Sequence, residues 1–401
     1  MRTRSALLFA LLAAPLAAAQ TWTARAPLAT ARAGAAAAVY DGEIWVAGGE
    51  AAPGEVLGSV ERYDPDSDTW APGPTLREAR ADAALIPYAG TLLLIGGVDS
   101  DGDPIDDVER YDPSDDRWES FSSLNAARRG LVAFSLPGYG PFAMGGLDAA
   151  GGFRADCEAL NDSDWYPYPT WSLSSARASL AVATAGNDAY VSGGFTAFGP
   201  TGAVERLRTD GSQATLPDLL PARGSHAMAA VAPYLYAAGG RDAQDDLLAD
   251  AHRLDVTGGV WEPVAALPGP RERVAAAALD GRVYLAGGNG PGGVLREVIA
   301  LDATKVDAES APDAARFALG APSPNPTRGR ATLPLHLDRA ADVDLALFDL
   351  AGRRVRTLAI GPHAAGRSAV PFRTDGLAPG VYAARLQADG RVAVQLVTVV
   401  R

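Results

Sequence analysis

The segment Glu43–Gly49, EIWVAGG, is a short β-rich run that ends in a pair of glycines, and the same arrangement recurs five more times. The other copies are TLLLIGG (91–97), PFAMGG (141–146), DAYVSGG (188–194), YLYAAGG (234–240) and RVYLAGG (282–288). Successive glycine pairs are 46 to 49 residues apart. Self-similarity at a fixed period of this size is typical of repeat architectures. The sequence therefore predicts six copies of one supersecondary unit.

Other residues keep the same period and divide each unit into four strands. An arginine precedes a small-residue apolar strand in every unit, at Arg32, Arg80, Arg128, Arg177, Arg223 and Arg271. The second strand runs into the glycine pair, the third is VERYD at 60–64 and 108–112, and the fourth begins near a tryptophan. Short alternating strands separated by turn residues favour an antiparallel sheet. Tyrosine and tryptophan are large enough to fill the space between neighbouring sheets.

The spacing of glycine pair, tyrosine and tryptophan resembles the kelch repeat and covers roughly residues 21–303. That resemblance implies an all-β, six-bladed kelch-type β-propeller, with a domain at residues 20–303. Trp22 has no unit before it, and the last unit stops after a third strand near 298–302. We therefore expect Thr21–Ala24 to supply the fourth strand of the last blade and to close the ring, which leaves few free sheet edges.

Two units depart from this pattern. The third has two tryptophans, Trp165 and Trp171, and neither keeps the ten-residue spacing to Arg177 that the other units show. The fourth has no tryptophan where residues 213–216 run. We expect the third and fourth blades to pack less regularly than the others.

The N-terminus is typical of an exported protein. Arg2 and Arg4 form a positive segment, residues 6–18 form an uncharged apolar run, and Ala17-Ala18-Ala19 fits a cleavage site with small residues. We expect a signal peptide at residues 1–19 and a mature start at Gln20. No later stretch is long and apolar enough to predict a transmembrane segment after cleavage.

The repeat stops after residue 303, and a segment rich in Asp, Ala, Ser and Pro predicts a linker at 304–322. Residues 323–401 contain several short strands, which predict a small immunoglobulin-like β-sandwich. Pro324-Asn325-Pro326, FDLAGRRV from Phe348 and LAPGVYAARL from Leu377 resemble the C-terminal sorting domain of the type IX secretion system. This resemblance implies contact with the secretion machinery and a location outside a Gram-negative-type bacterium, either secreted or on its outer surface.

Charge separates the two predicted domains. The formal net charge is −13, yet the chain from Phe317 onward has 11 Arg against six Asp and no Glu. The acidic part before it argues against nucleic acid as a partner, because phosphate binding needs a basic surface. Cys157 is the only cysteine, so no disulfide forms within the chain, and we interpret it as a small apolar filler.

Two features are candidate ligand sites. The loop that enters the first strand and the loop between the second and third strands open on the same face of a blade, so the six repeated arginines would encircle one mouth of the channel. Guanidinium groups suit carboxylates and phosphates, which makes an acidic peptide or acidic sugar a candidate ligand. The alternative is that each arginine pairs with an acidic residue of its own or a neighbouring blade. The second candidate is a possible Ca²⁺ site at Asp99, Asp101, Asp103 and Asp107, for which a solvated acidic loop is the alternative.

No enzyme motif stands out, and the sequence indicates no cofactor other than the possible Ca²⁺. The leading hypothesis is a secreted or surface-displayed binding module for protein or glycan. Some exported kelch proteins isomerise sialic acid, so an enzyme acting on an acidic sugar is one alternative. A structural component of a surface layer or an adhesion assembly is the other.

Overall fold

The computed structural model describes residues 20–304, 318–319, 322, 327–337, 339–349, 353–364, 366–389 and 391–400. Within these ranges every regular element is a β-strand. The chain forms two compact units, Gln20–Val306 (the repeat unit) and Asp307–Arg401 (the tail unit). The predicted signal peptide at 1–19 and most of the predicted linker at 304–322 lie outside the described residues.

The repeat unit contains six four-stranded antiparallel sheets, numbered 1 to 6 along the chain. Sheet 1 contains Ala36–Tyr40, Glu43–Ala47, Val60–Asp64 and Thr69–Pro72, and sheet 2 contains Ala84–Tyr88, Thr91–Ile95, Val108–Asp112 and Arg117–Ser120. Sheet 3 contains Val132–Ser135, Pro141–Met144, Asp156–Asn161 and Asp164–Ser172, and sheet 4 contains Ala181–Ala185, Asp188–Ser192, Val204–Arg208 and Gln213–Leu216. Sheet 5 contains Ala227–Val231, Tyr234–Ala238, Ala251–Asp255 and Glu262–Val264, and sheet 6 contains Ala275–Leu279, Arg282–Ala286, Val298–Asp302 and Trp22–Arg25. Three small hairpins follow glycine pairs: Glu50–Ala52 with Glu55–Val56, Phe195–Thr196 with Gly199–Pro200, and Asn289–Gly290 with Gly293–Val294.

The N-terminal strand completes the last sheet. Trp22–Arg25 pairs antiparallel with Val298–Asp302, with Trp22 opposite Leu301. The first strand of each sheet also packs against the first strand of the next, and that of sheet 6 packs against that of sheet 1. The strand predicted from the position of Trp22 therefore joins the beginning of the repeat unit to its end.

A closed ring of backbone hydrogen bonds links the sheets at the entry to their first strands. Its members are Gly34, Asp82, Gly130, Ser179, Ser225 and Arg273. Each N–H donates to the carbonyl of the preceding member at 2.7–2.8 Å, and the N–H of Gly34 donates to Arg273. All six members have positive φ, between 51° and 65°. A Cβ on Gly34 would lie 2.5 Å from the carboxylate of Asp82 and 2.6 Å from the guanidinium of Arg273, so a larger residue there would displace both groups.

Tryptophans of the fourth strands fasten neighbouring sheets together. The indole N–H of Trp70 donates to the carbonyl of Ala26 at 2.7 Å, and Trp22 donates to Ala265 at 2.8 Å. Trp118 and Trp261 make equivalent bonds to Pro74 and Pro217. A buried indole needs such an acceptor, because an unpaired N–H costs free energy. The ten-residue spacing seen in the sequence thus reflects a repeated contact between sheets.

The third sheet is irregular, as its sequence predicted, whereas the fourth pairs without a register shift. The fourth strand of sheet 3 is nine residues long, and the pairing register shifts between Asp156 and Glu158. Trp165 takes the position opposite the third strand, while Trp171 packs against Phe142 in the next hydrophobic cluster. In sheet 4 the amide of Gln213 replaces the missing indole and donates to the carbonyl of Ser172.

The described part of the tail unit contains two antiparallel sheets. One contains Ala318–Leu319, Arg330–Leu337 and Gly366–Arg373, and the other contains Arg354–His363, Ala341–Phe348, Gly380–Ala388 and Arg391–Val399 in hydrogen-bonded order. Leu333 and Leu335 of the first sheet share one buried cluster with Leu345 and Leu386 of the second. Alternating apolar residues on the facing sides of two sheets produce such a core.

Candidate functional site

The segments that follow the glycine pairs and those that enter the first strands meet on one side of the repeat unit. The residue after each repeated arginine bridges to the residue after the glycine pair of the same sheet, as Ala33 does with Glu50 and Ala81 with Val98. We call this side the loop face. The turns between third and fourth strands end on the opposite side, because antiparallel strands alternate in direction.

The six repeated arginines lie beneath the loop face and do not point into solvent. Arg32, Arg128, Arg177 and Arg223 are 0% exposed, Arg80 is 1% exposed and Arg271 is 5% exposed. Arg80 shows the arrangement: its Nη2 donates to Glu109 Oε1 and to Asp107 Oδ2, both at 2.7 Å, and its Nη1 donates to the carbonyl of Asp107. The N–H groups of this guanidinium therefore donate to acceptors within the same sheet.

Each arginine faces an acidic residue of the same sheet. Glu61, Glu109, Glu158 and Glu205 serve sheets 1 to 4, and Asp250 serves Arg223 in sheet 5. In sheet 6 burial lowers the pKa of Arg271, and the nearby carboxylate of Glu297 opposes that shift. The carboxylates also accept backbone N–H groups of the entering segment, as Glu61 does from Ala29 and Thr30. Each ion pair therefore holds a loop against its sheet.

This arrangement corrects the hypothesis that Arg32, Arg80, Arg128, Arg177, Arg223 and Arg271 encircle the mouth as a ligand site. A guanidinium that is buried and paired with a carboxylate cannot reach a ligand without breaking an ion pair. The alternative, pairing within the sheet, describes the contacts of the first five arginines, whereas Arg271 is buried with no hydrogen-bond partner for its Nε and Nη1 among the described residues.

The acidic loop of sheet 2 does not assemble a calcium site. Asp99 Oδ1 accepts the backbone N–H groups of Asp101 and Asp103, and Asp107 is paired with Arg80. The side chains of Asp101 and Asp103 are exposed. Among the described residues there is no group of three or more His, Cys, Asp or Glu placed to hold a metal ion. The structure therefore does not bring together the four carboxylates of the possible Ca²⁺ site predicted from the spacing, since Asp99 accepts from its own turn and Asp107 pairs with Arg80.

The loop face carries a small charged cleft of about 180 Å³ near the backbone ring. Arg273 crosses it: its guanidinium pairs with Glu50 at 2.6 Å and with Asp82 at 3.0 Å, which ties sheet 6 to sheets 1 and 2. Arg129 also lines the cleft, beside Asp99, and makes no side-chain ion pair within the described part of the chain. No sequence pattern pointed to this cleft, since its residues stand at positions that differ from unit to unit.

The central channel is apolar and has a volume of about 680 Å³. The first strands line it with small side chains such as Ala37, Ala229 and Ala277, joined by Met228 and Tyr139. Small residues fit where the first strands of six sheets converge, which accounts for the small-residue apolar first strand of each unit.

The buried histidine and cysteine of the repeat unit do not form a reactive group. Burial, together with the charge of Arg223, lowers the pKa of His226 to about 3, and its Nε2 lies 2.8 Å from the hydroxyl of Ser192. Burial raises the pKa of the Cys157 thiol far above its ordinary value. The interpretation of Cys157 as an apolar filler fits its place in the cluster around Phe142.

Three of the repeats match a known sequence motif, and part of the chain is similar to a known protein. Residues 31–77, 79–125 and 222–268 match the Kelch motif, which covers the first, second and fifth sheets. Kelch-like protein 33 of Homo sapiens is 30% identical over 142 residues, which are 34% of this chain and 26% of that protein. The chain thus spans about a quarter of the length of this curated relative.

A solved structure of YjhT has a propeller-like fold similar to this chain, with a TM-score of 0.60 and 16% sequence identity. The match covers 68% of this chain and 95% of YjhT. At this identity the similarity concerns the fold alone. No helix in the described residues is long and apolar enough to cross a membrane. The chain is therefore an all-β protein that contains kelch repeats and has a propeller-like fold.

Proposed function

We propose that this chain is a protein-binding module, that its six sheets are the blades of a closed six-bladed propeller, and that the loop face holds the partner. The paired first strands, the backbone ring and the N-terminal fourth strand support closure. Kelch motifs support the interaction role by analogy of fold.

One observation carries the assignment to the loop face. The six repeated arginines are buried, five of them in ion pairs, whereas the loops above them differ in length, charge and hydrophobicity. The sheet 2 loop contributes five aspartates, the sheet 4 loop between residues 195 and 203 has no charge, and the sheet 5 loop has Arg241 among four aspartates. Varied loops on a rigid scaffold are a common way to build binding surfaces.

The experiment blocks one face at a time. Single cysteines are introduced at Asp103 on the loop face and at Asp66 or Asp162 on the opposite face, and each is coupled to a bulky polyethylene glycol maleimide. Buried Cys157 stays unlabelled in the folded protein. The probes are proteins selected from a displayed library of genome fragments of the source organism. Binding should be lost when Asp103 is blocked and retained when Asp66 or Asp162 is blocked; the reverse pattern, or a library without binders, contradicts the proposal.

Export belongs to the same proposal. The N-terminal pattern at 1–19 and the resemblance of the tail to a type IX sorting domain support secretion or display on the outer surface of a Gram-negative-type bacterium. We propose that the tail unit is an immunoglobulin-like sandwich that contacts the secretion machinery. Deleting residues 323–401 should leave the repeat unit in the periplasm, as cell fractionation would show, whereas unchanged export would contradict this role.

Glycan remains the second candidate ligand, and Arg129 favours it. This arginine is the cation of the charged cleft that has no ion pair among the described residues, so its guanidinium can meet the carboxylate of an acidic sugar. Calorimetry with sialic acid tests the idea: binding that Arg129→Ala abolishes supports it, and the absence of heat with the wild-type protein removes it.

A further inference from the structure

An apolar side chain projects from the loop face at sheet 4. The hairpin formed by Phe195–Thr196 and Gly199–Pro200 carries Phe198 at its tip, and this side chain is 101% exposed. Exposure of a phenylalanine ring to water is unfavourable, and burying the ring against a partner would stabilise a complex by about 1.5–3 kcal/mol. A single exposed apolar residue is ordinary on protein surfaces, so its significance depends on its surroundings.

Hydrogen bonds within the hairpin order the backbone at Phe198. The hydroxyl of Thr196 accepts the backbone N–H of Phe198 at 3.1 Å and donates to the carbonyl of Gly199 at 2.9 Å. At the base, the ring of Phe195 lies against Gly224, where a Cβ would be 2.3 Å from it. An anchor that is already ordered loses less entropy when it binds.

A second exposed apolar side chain lies on the segment bonded to the base of this hairpin. Leu220 is 66% exposed, and the neighbouring Leu219 N–H donates to the carbonyl of Gly202 at 2.8 Å. Asp218 also lies here, with its Cβ 3.3 Å from where a Cβ on Gly202 would stand. We call Phe198, Leu220 and Asp218 the Phe198 patch.

The charge around the patch is negative. Asp218 is exposed and makes no ion pair among the described residues. The adjacent loop of sheet 5 adds exposed Asp245 and Asp246, of which Asp245 is paired with Arg241. Residues 195–203 contain no basic side chain. An apolar anchor with carboxylates beside it is complementary to an apolar pocket bordered by Lys or Arg.

We propose that the Phe198 patch is the anchor for a protein partner whose surface has an apolar pocket bordered by basic residues. The inference rests on the proposed protein-binding function and names the contact and the class of partner. The repeat unit of a second copy fits less well, because residues 20–316 carry a net charge of −20 and two such acidic units repel each other. The same charge disfavours an anionic membrane.

The test uses the full chain and three variants. Phe198→Ser removes the anchor, Asp218→Lys reverses the charge beside it, and Val260→Ser is the matched control, because Val260 is 67% exposed and lies on the opposite face between the third and fourth strands of sheet 5. Unchanged melting temperatures establish that the exposed substitutions leave the fold intact.

The probes are individual proteins purified after selection from the genome-fragment display library, and affinity is measured by calorimetry. We expect Phe198→Ser to weaken binding at least tenfold, Asp218→Lys about threefold or more, and Val260→Ser less than twofold. We also expect the selected proteins to be basic at the mapped contact.

Three outcomes overturn the inference. If binding is blocked by the maleimide adduct at position 103 yet is insensitive to Phe198→Ser, the loop face binds partners without this anchor, and the proposed function survives. If ultracentrifugation shows a wild-type dimer that Phe198→Ser dissociates, the occupant is a second copy. If vesicles of anionic lipid bind and no protein does, the proposed function fails with it.

Discussion

The pair formed by Arg80 and Glu109 gives the sharpest prediction about stability. Both side chains are 0% exposed, and Glu109 accepts Arg80 Nη2 at 2.7 Å and the backbone N–H groups of Arg77 and Glu78 at 2.8 and 3.0 Å. Glu109→Ala removes the acceptor of all three donors. Breaking a buried ion pair on one side costs about 3–5 kcal/mol, since it leaves a buried charge only partly compensated. Asp107 still faces Arg80, so we expect about 3 kcal/mol.

Glu119→Ala is the matched control in the same sheet. Glu119 pairs with Arg110 on the surface, with the two side chains 30% and 44% exposed, and such pairs contribute about 0–1 kcal/mol. Urea unfolding followed by tryptophan fluorescence measures both variants. All seven tryptophans lie between residues 22 and 261, so the signal reports on the repeat unit. A loss below about 1 kcal/mol for Glu109→Ala, or equal losses for both variants, would refute the reasoning.

Three further predictions concern other buried groups. Trp22→Ala should lower the stability of the repeat unit by about 2–3 kcal/mol, because it removes the indole bond to Ala265 and half-buried packing in the strand that completes sheet 6; the urea midpoint checks this. Burial holds the pKa of His226 at about 3, below its ordinary value, so the unfolded state binds the extra proton and stability should fall as the pH drops from about 6.5 towards 3, by about 1.4 kcal/mol per pH unit. His226→Leu should remove that component of the pH dependence, and an unchanged slope would contradict the assignment. Burial raises the pKa of the Cys157 thiol, so we expect this thiol to react with Ellman's reagent only after denaturant is added. The absorbance of the released thiolate measures the reaction, and a reaction in the native protein would contradict the prediction.

The strand pattern was readable from the sequence because period, glycine pair and tryptophan spacing are local. The same marks predicted which strand would complete sheet 6. The role of the arginines was not decided, because each guanidinium meets its carboxylate only after the third strand has folded back beside the first loop. A signal was present, however: the Glu of Val-Glu-Arg recurs at 61, 109 and 205 in step with the arginines. A charged residue that repeats together with an opposite charge is more consistent with an internal ion pair than with a ligand site.

The backbone ring and the charged cleft could not have been predicted in this way. The six ring positions are Gly, Asp, Gly, Ser, Ser and Arg, which share a positive φ and nothing in side-chain chemistry. The cleft depends on Arg273 reaching Glu50 and Asp82, which are more than 190 residues away in sequence. Only closure of the ring brings these side chains together. Positions that differ among units therefore hold the features most relevant to binding.

Surface charge and the Phe198 patch should act on different rate constants of partner binding, the charge on association and Phe198 on dissociation. The buried ion pairs are nearly neutral internally, so the charge of −20 between residues 20 and 316 lies mainly on the surface. A surface field of that sign accelerates the approach of a basic protein and is screened by salt. The contact of Phe198 is apolar and insensitive to ionic strength. Raising the salt concentration should therefore slow association of the selected partners, whereas Phe198→Ser should accelerate their dissociation. Stopped-flow or surface plasmon resonance kinetics distinguish the two effects. If Phe198→Ser altered only the association rate, Phe198 would act in steering instead of anchoring.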